Sequence, residues 1–418
     1  MKIAFNKVLC FLQFHNVPYL DLGVFLVAFW GTSFIQTQLV NPTVESKEVT
    51  DANWKIAIDL YKKLAETFKE KSIFFSPQCV TTSLMLLHAG ARGETATQIF
   101  AALGFPNEIN HKHHDAQDML FKNISNDSRN MFSLVKALFL QEGLKVEPEF
   151  QNIATQYYQA KIEMMDFSKD PKESREMANK WIATQTKSQI MNLIFKDVTI
   201  YTKFILASAM EFQAKWNRLI SPKYTTLKVF NGISGPTKPI PMMTFSGNMF
   251  YFVDPLSKAQ VIEVPYLGDN VGAYVILPSA GSSIMDLENR LAAMGTRAML
   301  TNLSPMNNVK VILPKLAFNL TYDLAPQLKD MGMTYMFDKN KANFSGMVSG
   351  PWLPLDNFYH QSRTNFQDEG YLLGPDIMVP QGPLNIPPQI FEANRPFLFC
   401  VISKMTQVPL FIGRYMGE

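Results

Sequence analysis

Apolar residues recur at helical spacing early in the chain and form short continuous runs later on. Between Asp51 and Lys71, lysines and glutamates separate apolar positions on one helical face, namely Trp54, Ile58, Tyr61, Leu64 and Phe68. This spacing predicts an amphipathic helix over that range. After a short apolar strand at Ile73–Phe75, the run Val80–Leu87 is apolar or small on most sides and predicts a buried helix, with Pro77 at a helix start, where proline is tolerated.

A third helix is predicted over 174–194, where apolar residues recur around Trp181 and Ile190. Beyond it, short apolar runs bounded by turn residues predict strands. The predicted strands are Val261–Pro265, Ala273–Pro278, Val309–Leu313, Phe397–Ile402 and Leu410–Gly413. The last two flank a turn at Thr406 and Gln407, which predicts a strand pair. Helices followed by strands favour a mixed α+β domain.

The segment 370–388 breaks this pattern because glycine and proline crowd it. Its residues of these two types are Gly370, Gly374, Pro375, Pro380, Gly382, Pro383, Pro387 and Pro388. A loop of this length within a compact chain is uncommon and is usually either functional or disordered. The segment is therefore a functional candidate.

Composition narrows the class of protein. The chain has 418 residues, of which 47% are apolar and 18% charged, and 39 Lys+Arg against 36 Asp+Glu leave a net charge of +3. Disordered segments combine low hydrophobicity with high net charge, so this composition excludes disorder. A net charge this small provides no strongly positive surface for binding a nucleic-acid backbone, so we expect no nucleic-acid partner. The size permits one large domain or two.

The N-terminus has the features of a secretory signal. Lys2 and Lys7 precede the apolar run Leu22–Trp30, and the small residues Gly31 and Ser33 follow it as a cleavage site requires. The run is short for a membrane-spanning helix, which needs about 20 residues.

We therefore predict a signal peptide at 1–33 and an N-terminal extension at 34–50. Asp21 and the long stretch before it leave a retained N-terminal anchor as the alternative. Secretion would place the protein outside the cell, without membrane contact after signal cleavage, and would expose Asn-x-Ser/Thr sequons to glycosylation. We also expect a monomer. The candidate sequons are Asn123, Asn126, Asn302, Asn319 and Asn343.

Cysteine and histidine patterns indicate no metal or redox site. Cys10 would leave with the signal, so Cys79 and Cys400 are either two buried thiols, the ordinary state of free cysteine, or one bridge. The His-Lys-His-His cluster at 111–114 is either a solvated helix face or a set of ligands for a metal or an anionic polymer. We interpret His88, in the apolar helix, as a hydrogen-bonded core residue. Since no catalytic or cofactor motif occurs, we predict no enzyme activity, no catalytic residue, no metal and no cofactor.

The segment Ser72–Phe105, with its strand, buried helix and Gly-Glu-Thr turn, resembles the signature of the serpin family. Further matching motifs follow in order along the chain. They are LFLQEGLKV (138–146), Tyr157-Tyr158, Asp166-Phe167, NKWIATQTKSQI (179–190), Trp216, PMM (241–243), VPY (264–266), ILP (276–278), LPK (313–315), TYDL (321–324), FSGM (344–347), ANRPFLF (393–399) and LFIGR (410–414). The resemblance therefore extends over most of the chain.

The resemblance implies an α+β serpin fold, in one domain at 51–418 with about nine helices around three sheets and an exposed reactive loop at about 368–390. In an inhibitory serpin, the protease is acylated on this loop, and the cut loop then inserts as a new central strand in the largest sheet and carries the protease along. The release of stored strain on insertion drives this change. The hinge of the loop must enter the closed sheet faster than the acyl-enzyme is hydrolysed.

The hinge departs from the family pattern Glu-Glu-Gly-Thr-Glu-Ala-Ala-Ala. The residues concerned are Glu369, Gly370, Tyr371, Leu373 and Pro375. On insertion, side chains alternate between faces, so the last three would point inward where the family has Thr, Ala and Ala. Overpacking a core costs about 1–3 kcal/mol per site, and Pro375 lacks the N–H that a central strand uses. We predict that insertion fails, and a merely slowed insertion is the alternative.

The region that opens the sheet in the family also differs here. Its residues in this chain are Ser76, Cys79, Ser208, Trp216 and His360. In the family an Asn hydrogen-bonds the His at the position of His360, and this polar pair helps the sheet to open, whereas this chain has Ser208 in place of that Asn. Cys79 replaces a usual Ser, and Glu211 and Gln213 also depart from the usual pattern. These exchanges, like the hinge sequence, favour the prediction that the loop does not insert into the sheet.

Loop length is preserved, and family spacing places the scissile bond at Leu384-Asn385, which suits a protease with a chymotrypsin-like apolar pocket. Two hypotheses result. The first is a secreted, non-inhibitory binding or regulatory serpin whose partner is an extracellular protein or a small hydrophobic ligand. The alternative is an extracellular serine-type endopeptidase inhibitor that traps a chymotrypsin-like protease as a suicide substrate.

Overall fold

The computed structural model describes residues 43–125, 129–218, 220–294, 300, 302–350, 352–368 and 387–417. Eight α-helices lie within these ranges. They are α1 (Val44–Thr67), α2 (Pro77–Gly90), α3 (Gly93–Leu103), α4 (His111–Ser125), α5 (Pro148–Tyr158), α6 (Pro171–Gln185), α7 (Ile284–Met294) and α8 (Ala325–Asp330). The predicted signal peptide at 1–33 and the extension up to residue 42 lie outside the described residues.

The first helix begins and ends earlier than its apolar spacing predicts. It begins at Val44 rather than Asp51 because the side chain of Thr43 caps it by accepting a hydrogen bond from the Ser46 N–H at 3.1 Å. It ends at Thr67 rather than Lys71, and the Phe68 N–H bonds back to the Leu64 carbonyl at 2.8 Å. The buried residues of the helix run from Val49 to Leu64.

The buried helix predicted around Val80–Leu87 is confirmed as α2. The Ser76 side chain caps it by accepting from the Cys79 N–H at 3.1 Å, and Pro77 occupies the first turn, where its missing N–H leaves no hydrogen bond unmade. The predicted third helix, in contrast, is shorter than 174–194. It ends at Gln185 because Lys187 and Ser188 have φ of 49° and 63°, outside the helical range.

Eighteen strands follow in chain order over the described ranges. They are β1 (Ile73–Phe75), β2 (Asn130–Gln141), β3 (Lys145–Val146), β4 (Lys161–Met165), β5 (Phe204–Ala214), β6 (Thr225–Lys228), β7 (Asn231–Gly232), β8 (Gly235–Pro236), β9 (Ile240–Val253), β10 (Gln260–Pro265), β11 (Val271–Leu277), β12 (Ser304–Pro314), β13 (Leu316–Asp323), β14 (Val348–Ser349), β15 (Asn357–Phe366), β16 (Gln389–Glu392), β17 (Phe397–Ser403) and β18 (Pro409–Tyr415). Each predicted strand is present, and β17 pairs with β18 as its turn predicts.

The strands form two large sheets and two short ladders. The nine-stranded sheet has the order β1-β18-β17-β11-β10-β9-β12-β16, with β6 paired to β9. The five-stranded sheet has the order β13-β15-β5-β2-β4, and the ladders are β3–β14 and β7–β8. The described residues thus form four sheets rather than the three that the resemblance implies, and the five-stranded sheet that carries His360 is not the largest.

Two hydrophobic cores lie on opposite faces of the five-stranded sheet. Residues at alternate positions of β5, such as Leu206 and Met210, belong to the main core shared with the nine-stranded sheet and most helices. The intervening residues, such as Ala207 and Ala209, pack in a smaller core with α6 and the connection that follows it. Because strand side chains alternate with period two, each residue of β5 or β15 belongs to one face or the other.

Candidate functional site

The two central strands of the five-stranded sheet, β5 and β15, pair directly with each other. They run parallel over eight residue pairs, from Asn357 opposite Ile205 to Thr364 opposite Phe212. We call this boundary the seam. A strand made by the segment that follows β15 must fold back antiparallel to it. Only at the seam would such a strand be antiparallel to both neighbours, because β13, on the other side of β15, already runs antiparallel to β15.

His360 anchors a buried polar cluster on the main-core face of the seam. Its Nε2 accepts a hydrogen bond from the Ser76 N–H at 3.1 Å, so its Nδ1 carries the proton and donates to Ser208 Oγ at 3.1 Å. The Ser362 hydroxyl lies 3.0 Å from Nε2. Burial lowers the pKa of His360 to about 3, so the ring is neutral at physiological pH. Ser208, which stands in place of the family's Asn, therefore still makes a hydrogen bond with the ring.

Cys79 borders this cluster in the first turn of α2. Desolvation raises the pKa of its thiol to about 11, so it stays protonated and unreactive. Ser76 Oγ, which accepts from the Cys79 N–H, also lies 3.1 Å from the sulfur of Met210 on β5. In the described part of the chain both Cys79 and Cys400 are free and buried, so the prediction of two buried thiols is confirmed.

Lys136 is a buried charge that the sequence analysis missed. It faces Ser208 across the β2–β5 ladder and is only 3% exposed. Its ammonium group donates to the Tyr158 carbonyl at 3.5 Å, a long contact, and lies 5.8 Å from the Tyr158 ring centre. Desolvation lowers its pKa to about 8. Its position inside an otherwise apolar strand is the signal that could have revealed it.

The end of the seam where the loop departs is held by the side chains of Trp216, Lys315 and Thr225. Trp216 is buried and stacked on Tyr266 with ring centres 4.4 Å apart, and its indole N–H donates to the Gln367 carbonyl at 2.6 Å. The next residue, Asp368, bonds to Lys315 Nζ at 2.7 Å and to the Thr225 hydroxyl at 3.0 Å. Burial alone would raise the pKa of Asp368, but these hydrogen bonds and the lysine charge outweigh it and lower the pKa.

The hinge residues Glu369, Gly370, Tyr371, Leu373 and Pro375 and the predicted scissile bond Leu384-Asn385 lie outside the described residues. The structure therefore brings together the sheet-opening residues that the sequence predicts, namely Ser76, Cys79, Ser208 and His360, and places Trp216 at the end of the same seam.

A second feature is a cavity of about 440 Å³ between α1, α7 and three strands of the nine-stranded sheet. Its walls are mainly apolar, with Ile58, Ala65 and Met285 from the helices and Leu398 and Cys400 from β17. This size falls within the 300–1,000 Å³ range of small-molecule sites. The sequence analysis did not predict this cavity, because its wall residues come from five separate elements.

A buried polar network forms one side of the cavity. Tyr61 donates to Glu288 Oε1 at 2.5 Å, and Arg414, which is 1% exposed, bonds the same oxygen at 2.7 Å. The remaining donors of Arg414 reach backbone carbonyls, including that of Phe68 at 2.6 Å. The Glu288 charge is thus compensated, while Asn289 and Lys62 add polar groups to the cavity wall.

The histidine cluster is only partly the solvated face that the sequence suggests, because His111 and Lys112 are exposed but the two histidines after them are buried. His113 and His114 are 3% and 5% exposed. His113 Nε2 lies 2.7 Å from Glu48 Oε2, and His114 Nδ1 lies 2.5 Å from the Tyr158 hydroxyl. Both rings thus pack α4 against its neighbours, and no group of metal-ligating side chains occurs within the described ranges. His88 is half-buried beside Phe100, and desolvation lowers its pKa to about 4.

The sequons differ in accessibility. Asn123, Asn302 and Asn319 are exposed, whereas Asn343 is half-buried and its side-chain oxygen accepts from the Ser345 N–H at 3.1 Å. Asn126 lies outside the described residues. In the part of the chain that the structure describes, none of the helices is long and apolar enough to cross a membrane.

Comparison with known proteins places this arrangement in a family. Residues 51–417 match the family described as Serpin (serine protease inhibitor). The chain is 30% identical over 380 residues to an uncharacterized serpin-like protein of Thermococcus kodakarensis, covering 89% of this chain and 86% of that one. It is 29% identical over 375 residues to Serpin B8 of Homo sapiens, covering 88% and 99%. The crystal structure of uncleaved ovalbumin has a TM-score of 0.81 at 24% identity, covering 88% of this chain and 100% of that one.

Proposed function

This chain belongs to the serpin family and has its α+β fold, and we propose that within the family it is a secreted, monomeric binding protein that does not trap proteases. The N-terminal signal pattern and the exposure of Asn123, Asn302 and Asn319 support secretion. Catalysis has no place in this proposal, because serpins are mostly protease inhibitors rather than enzymes.

The proposal depends on the hinge sequence, because the hinge residues are unsuited to entering a seam that is closed. β5 and β15 are hydrogen-bonded over eight pairs, so an entering strand must replace that ladder with two new ones. Pro375 has no N–H to offer and is suited to an edge strand rather than a central one. Tyr371 would bring a ring and a hydroxyl that needs a partner. Insertion would therefore replace the β5–β15 ladder with new ladders in which Pro375 donates no hydrogen bond.

The cavity beside α1 and α7 supports a compact apolar ligand as the bound partner. Its walls are mainly apolar, and polar groups such as Asn289 lie at one side. An apolar molecule with one hydrogen-bonding group fits this combination, since burial supplies affinity and the polar group fixes orientation. A small hydrophobic ligand is therefore favoured over an extracellular protein as the partner.

The proposal is tested with the full-length secreted protein and chymotrypsin. We expect the loop to be cut at Leu384-Asn385 without an SDS-stable complex, and the melting temperature of the cut protein to stay within about 2 °C of the intact value, since a change of 1 kcal/mol moves it by about 2–4 °C. A covalent complex on a denaturing gel would contradict the proposal. It would instead establish the alternative, an inhibitor of chymotrypsin-like proteases, which the preserved loop length and Leu384 favour.

The cavity is tested separately with 8-anilinonaphthalene-1-sulfonate as the probe. We expect one equivalent to bind with enhanced fluorescence, and Ala65→Trp to weaken binding at least tenfold, because the indole would occupy the cavity from α1. The matched control is Ala101→Trp, which adds the same ring to an exposed helical alanine on α3, away from the cavity. Equal affinity of the wild type and Ala65→Trp would exclude this cavity as the binding site.

A further inference from the structure

A polar group crosses the seam on the α6 face of the sheet. Glu211 of β5 and Arg363 of β15 lie directly opposite each other in the parallel register, and Arg363 Nε is 3.7 Å from Glu211 Oε1. The Glu211 side chain is 6% exposed and the Arg363 side chain 29%. Gln213 Nε2 also donates to Glu211 Oε1, at 2.6 Å.

The same arginine is bound from outside the sheet. Arg363 Nη1 donates to the backbone carbonyl of Gln189 at 3.1 Å and also to its side-chain oxygen. Gln189 belongs to the connection after α6, whose residues Ile190 and Leu193 pack in the smaller core against the sheet. One guanidinium therefore joins β15, β5 and the segment that covers the seam.

We propose that Glu211, Arg363 and Gln189 form a polar latch that determines how readily the sheet accepts a further strand. The inference rests on the proposed function, in which the sheet stays closed, and it adds a determinant outside the loop. Inserting a strand separates β5 from β15 by one additional strand spacing, about 4.8 Å. The ion pair cannot keep its geometry at that separation while Arg363 stays bound to Gln189.

The position of the latch makes it an early obstacle. The chain leaves β15 after Phe366, so a strand folding back from that point enters at the end where Thr364 faces Phe212. The Arg363–Glu211 pair is the next one along the seam. Breaking it would leave a carboxylate that is 6% exposed without its charge partner, which is far less favourable than losing an exposed ion pair.

The test measures uptake of a synthetic strand by the intact protein. The probe is an acetylated peptide of sequence Glu-Glu-Gly-Thr-Glu-Ala-Ala-Ala, which has the family's small hinge residues, and uptake is followed by native mass spectrometry. We expect Arg363→Met, which keeps an unbranched apolar stem, to take up the peptide about tenfold faster than the wild type. Glu211→Met/Arg363→Met should do the same without leaving a buried charge.

The matched control is Lys196→Gln. Lys196 lies on the same connection and pairs with Asp323 of β13 at 2.7 Å, so it ties the connection to the sheet without crossing the seam. Its uptake rate should equal that of the wild type. Gln189→Ala, which leaves both charges in place, should accelerate peptide uptake by a smaller factor. If the Arg363 variants do not fold, Gln189→Ala replaces them as the test of the latch.

Equal uptake by the wild type, Gln189→Ala and every folded Arg363 variant would overturn the latch. Acceleration by Lys196→Gln to the same extent would also overturn it, since the effect would then come from loosening the connection. Neither result depends on chymotrypsin trapping, so failure of the latch is distinguishable from failure of the proposed function.

Discussion

Tyr371→Thr/Pro375→Ala should raise the melting temperature of the loop-cleaved protein by about 10 °C or more, while that of the intact protein changes by about 2 °C or less. In the intact protein β5 pairs directly with β15, so the two substitutions add no strand to the closed sheet and should change its stability little. In the cleaved protein the changes remove overpacking of about 1–3 kcal/mol and restore the N–H at residue 375. An entering strand would then form ladders with both β5 and β15, and about 5 kcal/mol corresponds to a shift of roughly 10 °C or more.

The measurement is differential scanning calorimetry before and after cleavage, with the cut confirmed at Leu384-Asn385 by mass spectrometry. Pro388→Ala is the matched control, because it removes a proline on the far side of the cut, outside the segment that would insert. An equal response of the cleaved and intact double variants would show that the hinge residues are not the obstacle. A large gain on cleaving the wild type would show that this hinge inserts as it stands.

Lys136→Met should raise the free energy of unfolding at pH 7 by about 3 kcal/mol. Desolvation lowers the pKa of Lys136 from 10.5 to about 8 in the folded protein. The difference between these values corresponds to about 3 kcal/mol, because each pKa unit is worth 1.36 kcal/mol. Below pH 8 the folded protein holds an unfavourable buried charge that methionine would not carry. The unbranched methionine side chain fits the same space.

The pH dependence of this stability gain shows whether the buried charge of Lys136 is its cause. Between about pH 8 and 10.5 the unfolded chain binds more protons at Lys136 than the folded chain, so this residue makes the stability of the wild type rise with pH across that window. The advantage of Lys136→Met should therefore shrink as the pH rises and be nearly lost by its upper end. Cys79, whose pKa is raised to about 11, opposes this trend at the upper end of the window, and because Lys136 lowers the pKa of Cys79, the Cys79 contribution differs between the two proteins. A gain that is independent of pH would attribute the effect to packing alone. Urea unfolding of the wild type and of Lys136→Met, at pH 7 and at pH 10, measures the stability gain at each pH.

Local patterns were sufficient to predict most elements but not their ends. The apolar spacing around Trp54 and Leu64 predicted the face of α1, and the uninterrupted apolar run after Pro77 predicted α2. Their ends depend on single capping contacts, such as Thr43 with the Ser46 N–H, which periodicity does not report. The early end of α6 likewise depends on the backbone angles of residues 187 and 188.

Local sequence patterns could not predict contacts between residues that lie far apart in the chain. A solvated helix face was one of the two interpretations of the cluster at 111–114, yet His113 and His114 are buried and lie against Glu48 and Tyr158. The sequence shows that Ser208 replaces the family's Asn, but only the pairing of β5 with β15 shows that the shorter side chain still reaches His360, at 3.1 Å. Loop hinge and scissile bond remain predictions from sequence.

From the sequence alone come the family, the mixed α+β class and the bulky, proline-containing hinge, because each depends on residue type and on spacing along the chain. Tertiary structure alone decided which residues meet across the seam, that Lys136 is buried with its charge, and that five elements line a cavity. The physical reason is that burial, ion pairing and cavity shape depend on distances between residues far apart in the chain. Arg363 and Gln189, separated by 174 positions, share hydrogen bonds only after β15 and the α6 connection have packed together.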